Sequence, residues 1–179
     1  LKLRHGSLIL GPPGSGKTAV RNTAMDALGA SAAVIHPNVL TLEQLYGTQT
    51  AGGWRDGVFS DLYRRINSQS DSTRAKQQWP VLDGPLDGGW TENLNTVLDD
   101  NKKLCLANGE IIPLSPNTRI VFEAVDALGV SPRTVSRLGI VYVDAELVGW
   151  KPLVQSWLDH WPDEIQRAQL EGLAQKYVP

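Results

Sequence analysis

Residues 7–29, SLILGPPGSGKTAVRNTAMDALG, decide the fold. Ser7 to Leu10 is a short apolar strand running into glycines, and Lys17 to Leu28 carry Ala, Val, Met and Leu at helical spacing until Gly29 stops the helix. Between them, Gly11-Pro12-Pro13-Gly14-Ser15-Gly16-Lys17-Thr18 is a full G-x-x-x-x-G-K-[ST] match in its required context, after a strand and opening a helix. The glycines let consecutive backbone N–H groups turn inward as an anion nest, and the helix dipole adds favourable charge. Lys17 is expected to reach the β- and γ-phosphates and the Thr18 hydroxyl to bind Mg²⁺. The candidate site for ATP or ADP with Mg²⁺ is therefore Gly11, Pro12, Pro13, Gly14, Ser15, Gly16, Lys17, Thr18 and Ala19.

Outward from this stretch, strands alternate with helices. Ala32 to Ile35 reads as a second buried strand, and Thr41 with Gln44 as a capping box for a short helix through Leu45. Gly47 to Gly57, around Trp54, reads as a loop inserted before the helix marked by Val58, Phe59, Leu62, Tyr63 and Ile66. The polar stretch Ser68 to Gln78 reads as a surface loop. Trp79 to Leu82 is a third strand, followed by a helix with Leu94, Val97 and Leu98 on its buried side. Asn108-Gly109, between the arms Leu104–Leu106 and Ile111–Leu114, signals a hairpin with both turn residues at positive φ. Arg119 to Phe122 and Ile140 to Val143 are the fourth and fifth strands, with Ser131-Pro132 capping a short helix to Arg137 between them. Leu153, Trp157 and Trp161 at i, i+4, i+8 predict one more amphipathic helix, and Ile165, Leu170, Leu173 and Tyr177 the last. The pattern predicts an α/β fold: a parallel sheet with helices on both faces.

A carboxylate at the tip of a buried strand usually completes a phosphate-loop metal site, and Asp83 is in that place. The next residue is Gly84, where many such ATPases carry a glutamate that orients the attacking water. General-base assistance is worth about 10²–10⁴ in rate, so this site is expected to bind nucleotide and turn it over slowly. Asp87 is the nearest spare carboxylate: it either substitutes as the base or caps the following helix. Arg133 and Arg137 flank the short helix after the fourth strand, where an arginine either reaches a neighbouring molecule's γ-phosphate or makes a plain surface ion pair. His5, His36 and His160 have no partner at metal-ligand spacing and read as packing or surface residues.

The length of 179 residues allows one domain, or one and part of another. With 41% hydrophobic and 20% charged residues, the composition is that of a soluble globular protein. The longest apolar runs are far below the ~18 residues needed to span a bilayer, and no leader is legible, so no membrane association is expected. A net charge of −2 lacks the basic footprint of a nucleic-acid binder. Cys105, the single cysteine, cannot staple its own chain; it reads as a buried thiol and fits a reducing, cytoplasmic compartment. Trp150, Trp157 and Trp161 crowd the C-terminal segment, and that much apolar surface is expected to favour association.

Several blocks together resemble the second AAA+ module of a dynein heavy chain. They are Gly11 to Thr18, Leu45-Tyr46-Gly47 with Trp54 to Phe59, Val81 to Asp87, Glu92 to Lys102 (ENLNTVLDDNK), and Thr134-Val135-Ser136-Arg137. Gly149-Trp150-Lys151-Pro152 is more similar to axonemal than to cytoplasmic chains. The resemblance implies a P-loop AAA+ large subdomain over residues 1–150, with five parallel strands in the order 5-1-4-3-2. It also implies a loop insert in the second helix and a β-hairpin insert before the fourth strand, both facing the motor's linker. Residues 151–179 would lead toward a small helical lid beyond this chain. It further implies ATP binding without the catalytic glutamate, and Arg137 as an arginine finger acting in trans on the preceding module. Glu123 and Asp126 are the candidates for a sensor position where active sites usually carry Asn. The implied partners are the neighbouring AAA+ modules and linker of the same chain and, for the whole motor, microtubules in a cilium or flagellum. A free-standing P-loop kinase or ATPase is the alternative.

Overall fold

Five of the apolar runs pair side by side in one parallel sheet. The computed structural model describes residues 6–68 and 76–178. In chain order the elements are β1 (Gly6–Leu10), α1 (Lys17–Leu28), β2 (Ser31–Ile35), α2 (Leu42–Tyr46), β3 (Gly47–Thr50), β4 (Gly53–Asp56), α3 (Val58–Ser68), β5 (Gln78–Asp83) and α4 (Gly88–Thr91). They continue with β6 (Lys103–Cys105), β7 (Ile111–Pro113), β8 (Ile120–Ala124), α5 (Pro132–Val135), β9 (Leu138–Tyr142), α6 (Ala145–Val148), α7 (Lys151–Asp159) and α8 (Glu164–Tyr177). The sheet order is β2-β5-β8-β1-β9. Counting only its five strands, that is 5-1-4-3-2 read from the other edge, the topology of the AAA+ large subdomain.

Strand alternation sorts the core into two layers. Ile9, Val81 and Val121 lie on one face, Val81 in register with Val121, and pack with Trp79 and Val143 against Ala24, Met25 and Ala30, in and just after α1. Leu8, Leu82, Ile120 and Phe122 point the other way, onto Phe59 and Tyr63 of α3, Trp90 of α4, and Leu94 and Leu98. Each fully buried Leu or Phe contributes about 1.5–3 kcal/mol against exposure, which sets the register firmly. Carried one step along their strands, Asp83 and Glu123 fall on the α1 face as paired neighbours at the carboxyl ends of β5 and β8. That end of the sheet is where the loop before α1 stands.

Several elements depart from the sequence expectation. β2 is an edge strand and mostly exposed; only Ile35 is buried, because no strand lies beyond it. The Gly47–Gly57 insert is an antiparallel hairpin, β3–β4, entered after a complete Thr41–Gln44 capping box. Leu94, Val97 and Leu98 are fully buried, but on a 3₁₀ turn and irregular turns and not on a continuous helix. In the β6–β7 hairpin only Gly109 takes positive φ (86°). Asn108 instead accepts the Glu110 N–H on its side chain, and Leu106 N–H bonds Glu110 C=O, so the connection is longer than a two-residue turn.

The expectation of a buried Cys105 is also corrected: the thiol is exposed, since Leu104 takes the inward position and alternation sends Cys105 out. On α7 the predicted apolar stripe faces water, with Leu153 76% exposed and Trp157 half-exposed and packed on Trp161; the buried residue is Leu158. Ile165, Leu173 and Tyr177 of α8 are exposed as well. His5 and residues 69–75 of the expected surface loop lie outside the described residues.

Candidate functional site

The phosphate loop joins β1, an inner strand between β8 and β9, to α1. Gly14 and Gly16 have φ of 78° and 91°, the left-handed region that glycine enters without steric cost, and the space where a Cβ would stand at either is open. Lys17 Nζ donates to the carbonyl oxygens of Gly11 (2.7 Å) and Pro12 (2.9 Å), which keeps the ammonium on the loop. The Ser15 hydroxyl is buried and makes no hydrogen bond among the described residues. A loop of open glycines, a tethered ammonium and an orphaned hydroxyl at the N-terminus of a twelve-residue helix can accept a polyphosphate.

Thr18 and Arg21, one turn apart on α1, reach the sheet at the same side chain. The Thr18 hydroxyl and the Glu123 carboxylate are hydrogen-bonded through Oγ1 and Oε1. Glu123 Oε2 accepts from Arg21 Nη1 at 2.8 Å. Glu123 is 2% exposed and Arg21 6%, so this is a buried charge pair whose every charged group is bonded. Arg21 is held in turn through Nε and Nη2, which donate to Asn22 Oδ1 at 3.3 and 3.2 Å. Of the two sensor candidates, Glu123 is therefore the one at the loop; Asp126 caps the backbone N–H of Leu128.

Asp83 stands beside Glu123 with its side chain about one-third exposed, and His36 Nδ1 lies 3.8 Å from its Oδ2. The His36 ring also contacts the Asp83 carbonyl at 3.1 Å. The Thr18 hydroxyl and the Asp83 carboxylate supply oxygen donors, the chemistry a divalent cation such as Mg²⁺ requires, while both Glu123 oxygens are taken up by Thr18 and Arg21. Gly84 follows at φ 146°, its N–H bonded to the Glu123 carbonyl. A Cβ there would stand 2.8 Å from Asn38 Oδ1. Asp87 caps α4 by accepting the Gly89 N–H.

Arg137 lies apart from this cluster in sequence, just past α5. Its Nη1 donates to the Arg133 carbonyl (2.7 Å) and its Nη2 to Asp99 Oδ2 (3.3 Å), while the buried Nε has no partner among the described residues. Thr134 anchors α5 by donating to Asn95 Oδ1. The Asp99 carboxyl is held below its ordinary range, first by the Asp100 N–H and then by Arg137. The Arg137 side chain is four-fifths buried on its own chain, so this is not a plain surface ion pair.

Arg21 was not legible as a site residue. A buried cation on a helix face otherwise lined by Ala24 and Met25 reads as a solvated charge until its partner, 102 residues away, is known. Its spacing of three from Thr18 was the available signal.

No protein-family profile matches the chain. The chain is 39% identical over 183 residues to dynein axonemal heavy chain 3 of Homo sapiens, covering 94% of this chain and 4% of that protein. It is 44% identical over 163 residues to the dynein gamma chain, flagellar outer arm, of Chlamydomonas reinhardtii, covering 87% and 4%. It is 40% identical over 195 residues to dynein axonemal heavy chain 12 of Homo sapiens, covering 99% and 6%. The chain thus spans about one twentieth of the length of the curated relatives it matches. Homology to a stretch of dynein heavy chains, with the sheet order, supports an AAA+ nucleotide-binding module of the dynein type.

Proposed function

We propose that this chain is the second AAA+ module of an axonemal dynein heavy chain. It holds Mg·ATP or Mg·ADP with little hydrolysis and lends Arg137 to the ATPase site of the preceding module. The observation that carries the reading is a complete phosphate loop beside a strand whose tip carboxylate, Asp83, is followed by glycine in a left-handed conformation.

On this reading the backbone N–H groups of Gly14 to Ala19 and the Lys17 ammonium bind the phosphates, and Thr18 and Asp83 hold Mg²⁺. When bound, the cation neutralises phosphate charge. Gly84 brings no carboxylate to order a water, and its backbone disfavours one. A side chain at φ 146° costs of order 1–3 kcal/mol and must displace Asn38. Asp87 is committed to its helix cap. Slow turnover follows from a missing base worth about 10²–10⁴ in rate.

Residues 1–150 are the large subdomain, and 151–179 lead to a small lid subdomain. The two hairpins, β3–β4 and β6–β7, face the motor's linker. The names of the relatives place those proteins in axonemes and flagella. For this chain the same setting is proposed: a cytoskeletal, ciliary motor ring in the cytoplasm, whose whole binds microtubules. The test is calorimetry of ATP and ADP binding with Mg²⁺. Lys17→Ala is expected to abolish binding, and equal affinity of the two proteins would refute the site.

A further inference from the structure

A hydroxyl has one proton and two lone pairs, so a threonine that serves a cation must send its proton elsewhere. Among the described residues Thr18 has such an acceptor in Glu123 Oε1, and not in the Asp83 expected to stand at the cation. We propose that Glu123, braced by Arg21, is the positioning residue that turns the Thr18 oxygen toward a divalent cation. On this proposal it sets the Mg²⁺ dependence of nucleotide binding. The proposal rests on the Mg·nucleotide reading of the site.

Three features converge on it. The Glu123 carboxylate is buried and bonded at both oxygens, to Thr18 through one and to Arg21 through the other, so it has one orientation available. The Arg21 charge makes the pair neutral. An unpaired carboxylate beside a polyphosphate would repel it, whereas this one can orient Thr18 without opposing the ligand. The pair also sits where the apolar layer under α1 ends. Two residues earlier on the same strand and face, Val121 packs in the apolar cluster. A buried ion pair stabilises little over apolar residues, so its place at the loop calls for a role beyond joining α1 to β8. With Thr18's proton on Glu123, Asp83 keeps its own oxygens for the cation or for water around it. Partners behind a ligand typically change metal affinity by about 10–100-fold.

The experiment is a double-mutant cycle on the 179-residue chain, with ADP as the probe. Its dissociation constant is measured by calorimetry in Mg²⁺ and in excess chelator for wild type, Glu123→Gln, Thr18→Ala and the double variant. Glu123→Gln is expected to reduce the Mg²⁺ enhancement about tenfold or more while moving the Mg²⁺-free affinity less than about twofold. In the Thr18→Ala background the same change should cost nothing further. A wild-type Mg²⁺ enhancement in Glu123→Gln, or an undiminished loss without the Thr18 hydroxyl, overturns the proposal. Thermal unfolding reports whether each variant folds. If Glu123→Gln does not, Glu123→Asp, which keeps the charge and shortens the reach, must show the same selective loss, and an unchanged enhancement there overturns it. Wild type that binds ADP under neither condition refutes the nucleotide reading itself.

Discussion

Arg21–Glu123 and Arg137–Asp99 are the same ion-pair chemistry placed in two regions. The first pair is almost wholly buried at 2.8 Å, with both carboxylate oxygens bonded. The second is longer, at 3.3 Å; its carboxylate is 40% exposed, and the arginine Nε lacks a partner. Burial decides what each pair can do. A charge enclosed with its counter-charge is fixed and can orient a third group. A charge at a wet boundary can exchange its partner at little cost. The first arrangement suits a site that holds a ligand still; the second suits a residue proposed to serve a neighbour.

The largest effect comes from breaking the buried pair. Arg21→Met leaves Glu123 as an uncompensated buried charge, at a cost of about 3–5 kcal/mol. For a chain of this size that lowers the midpoint of thermal unfolding by roughly 10 °C. Arg137→Met should shift it by no more than about 3 °C. Equal shifts in scanning calorimetry would erase the distinction between the regions.

A smaller effect sharpens the same region. Gly84 is tied to the Glu123 carbonyl and held left-handed, so Gly84→Glu, which supplies the usual base residue, should cost about 1–3 kcal/mol and give no gain in phosphate release. A rise in turnover with unchanged melting would mean that only the side chain, and not the backbone, keeps the site slow. The less enclosed pair is probed in the assembled ring. There, Arg137→Ala is expected to lower turnover at the preceding module at least tenfold while leaving this chain's own nucleotide affinity unchanged. Loss of that affinity instead would return Arg137 to a local structural role.

Much of this was legible beforehand, for reasons that differ by element. The β1–loop–α1 unit is local: a glycine pattern, a lysine and a helix start lie within twelve residues. The strands beneath it announce themselves by continuous apolar runs, as Ile120 to Phe122 do. Asp83 was legible because a carboxylate at a strand tip is itself a local pattern. What failed depended on partners distant in sequence. Cys105 turned outward because its pairing with Ile111 sends Leu104 inward. The Leu153–Trp157 stripe has a helical period but nothing among the described residues covers it, and periodicity says which residues share a face without saying what that face meets. Leu94, Val97 and Leu98 were rightly read as core, since burial needs only apolar residues at the right places, and wrongly read as a continuous helix. Arg21 was hidden because a buried cation has no signature apart from its partner.

The central claim is that the site retains ATP without cleaving it. The direct measurement incubates the chain with γ-labelled ATP and Mg²⁺, removes free nucleotide and follows the bound species over hours, with Lys17→Ala as the control. The account predicts that wild type retains nucleotide, that it stays ATP, and that the control retains none. Bound ADP accumulating with matching phosphate release above the control, or no nucleotide retained by wild type, would contradict it.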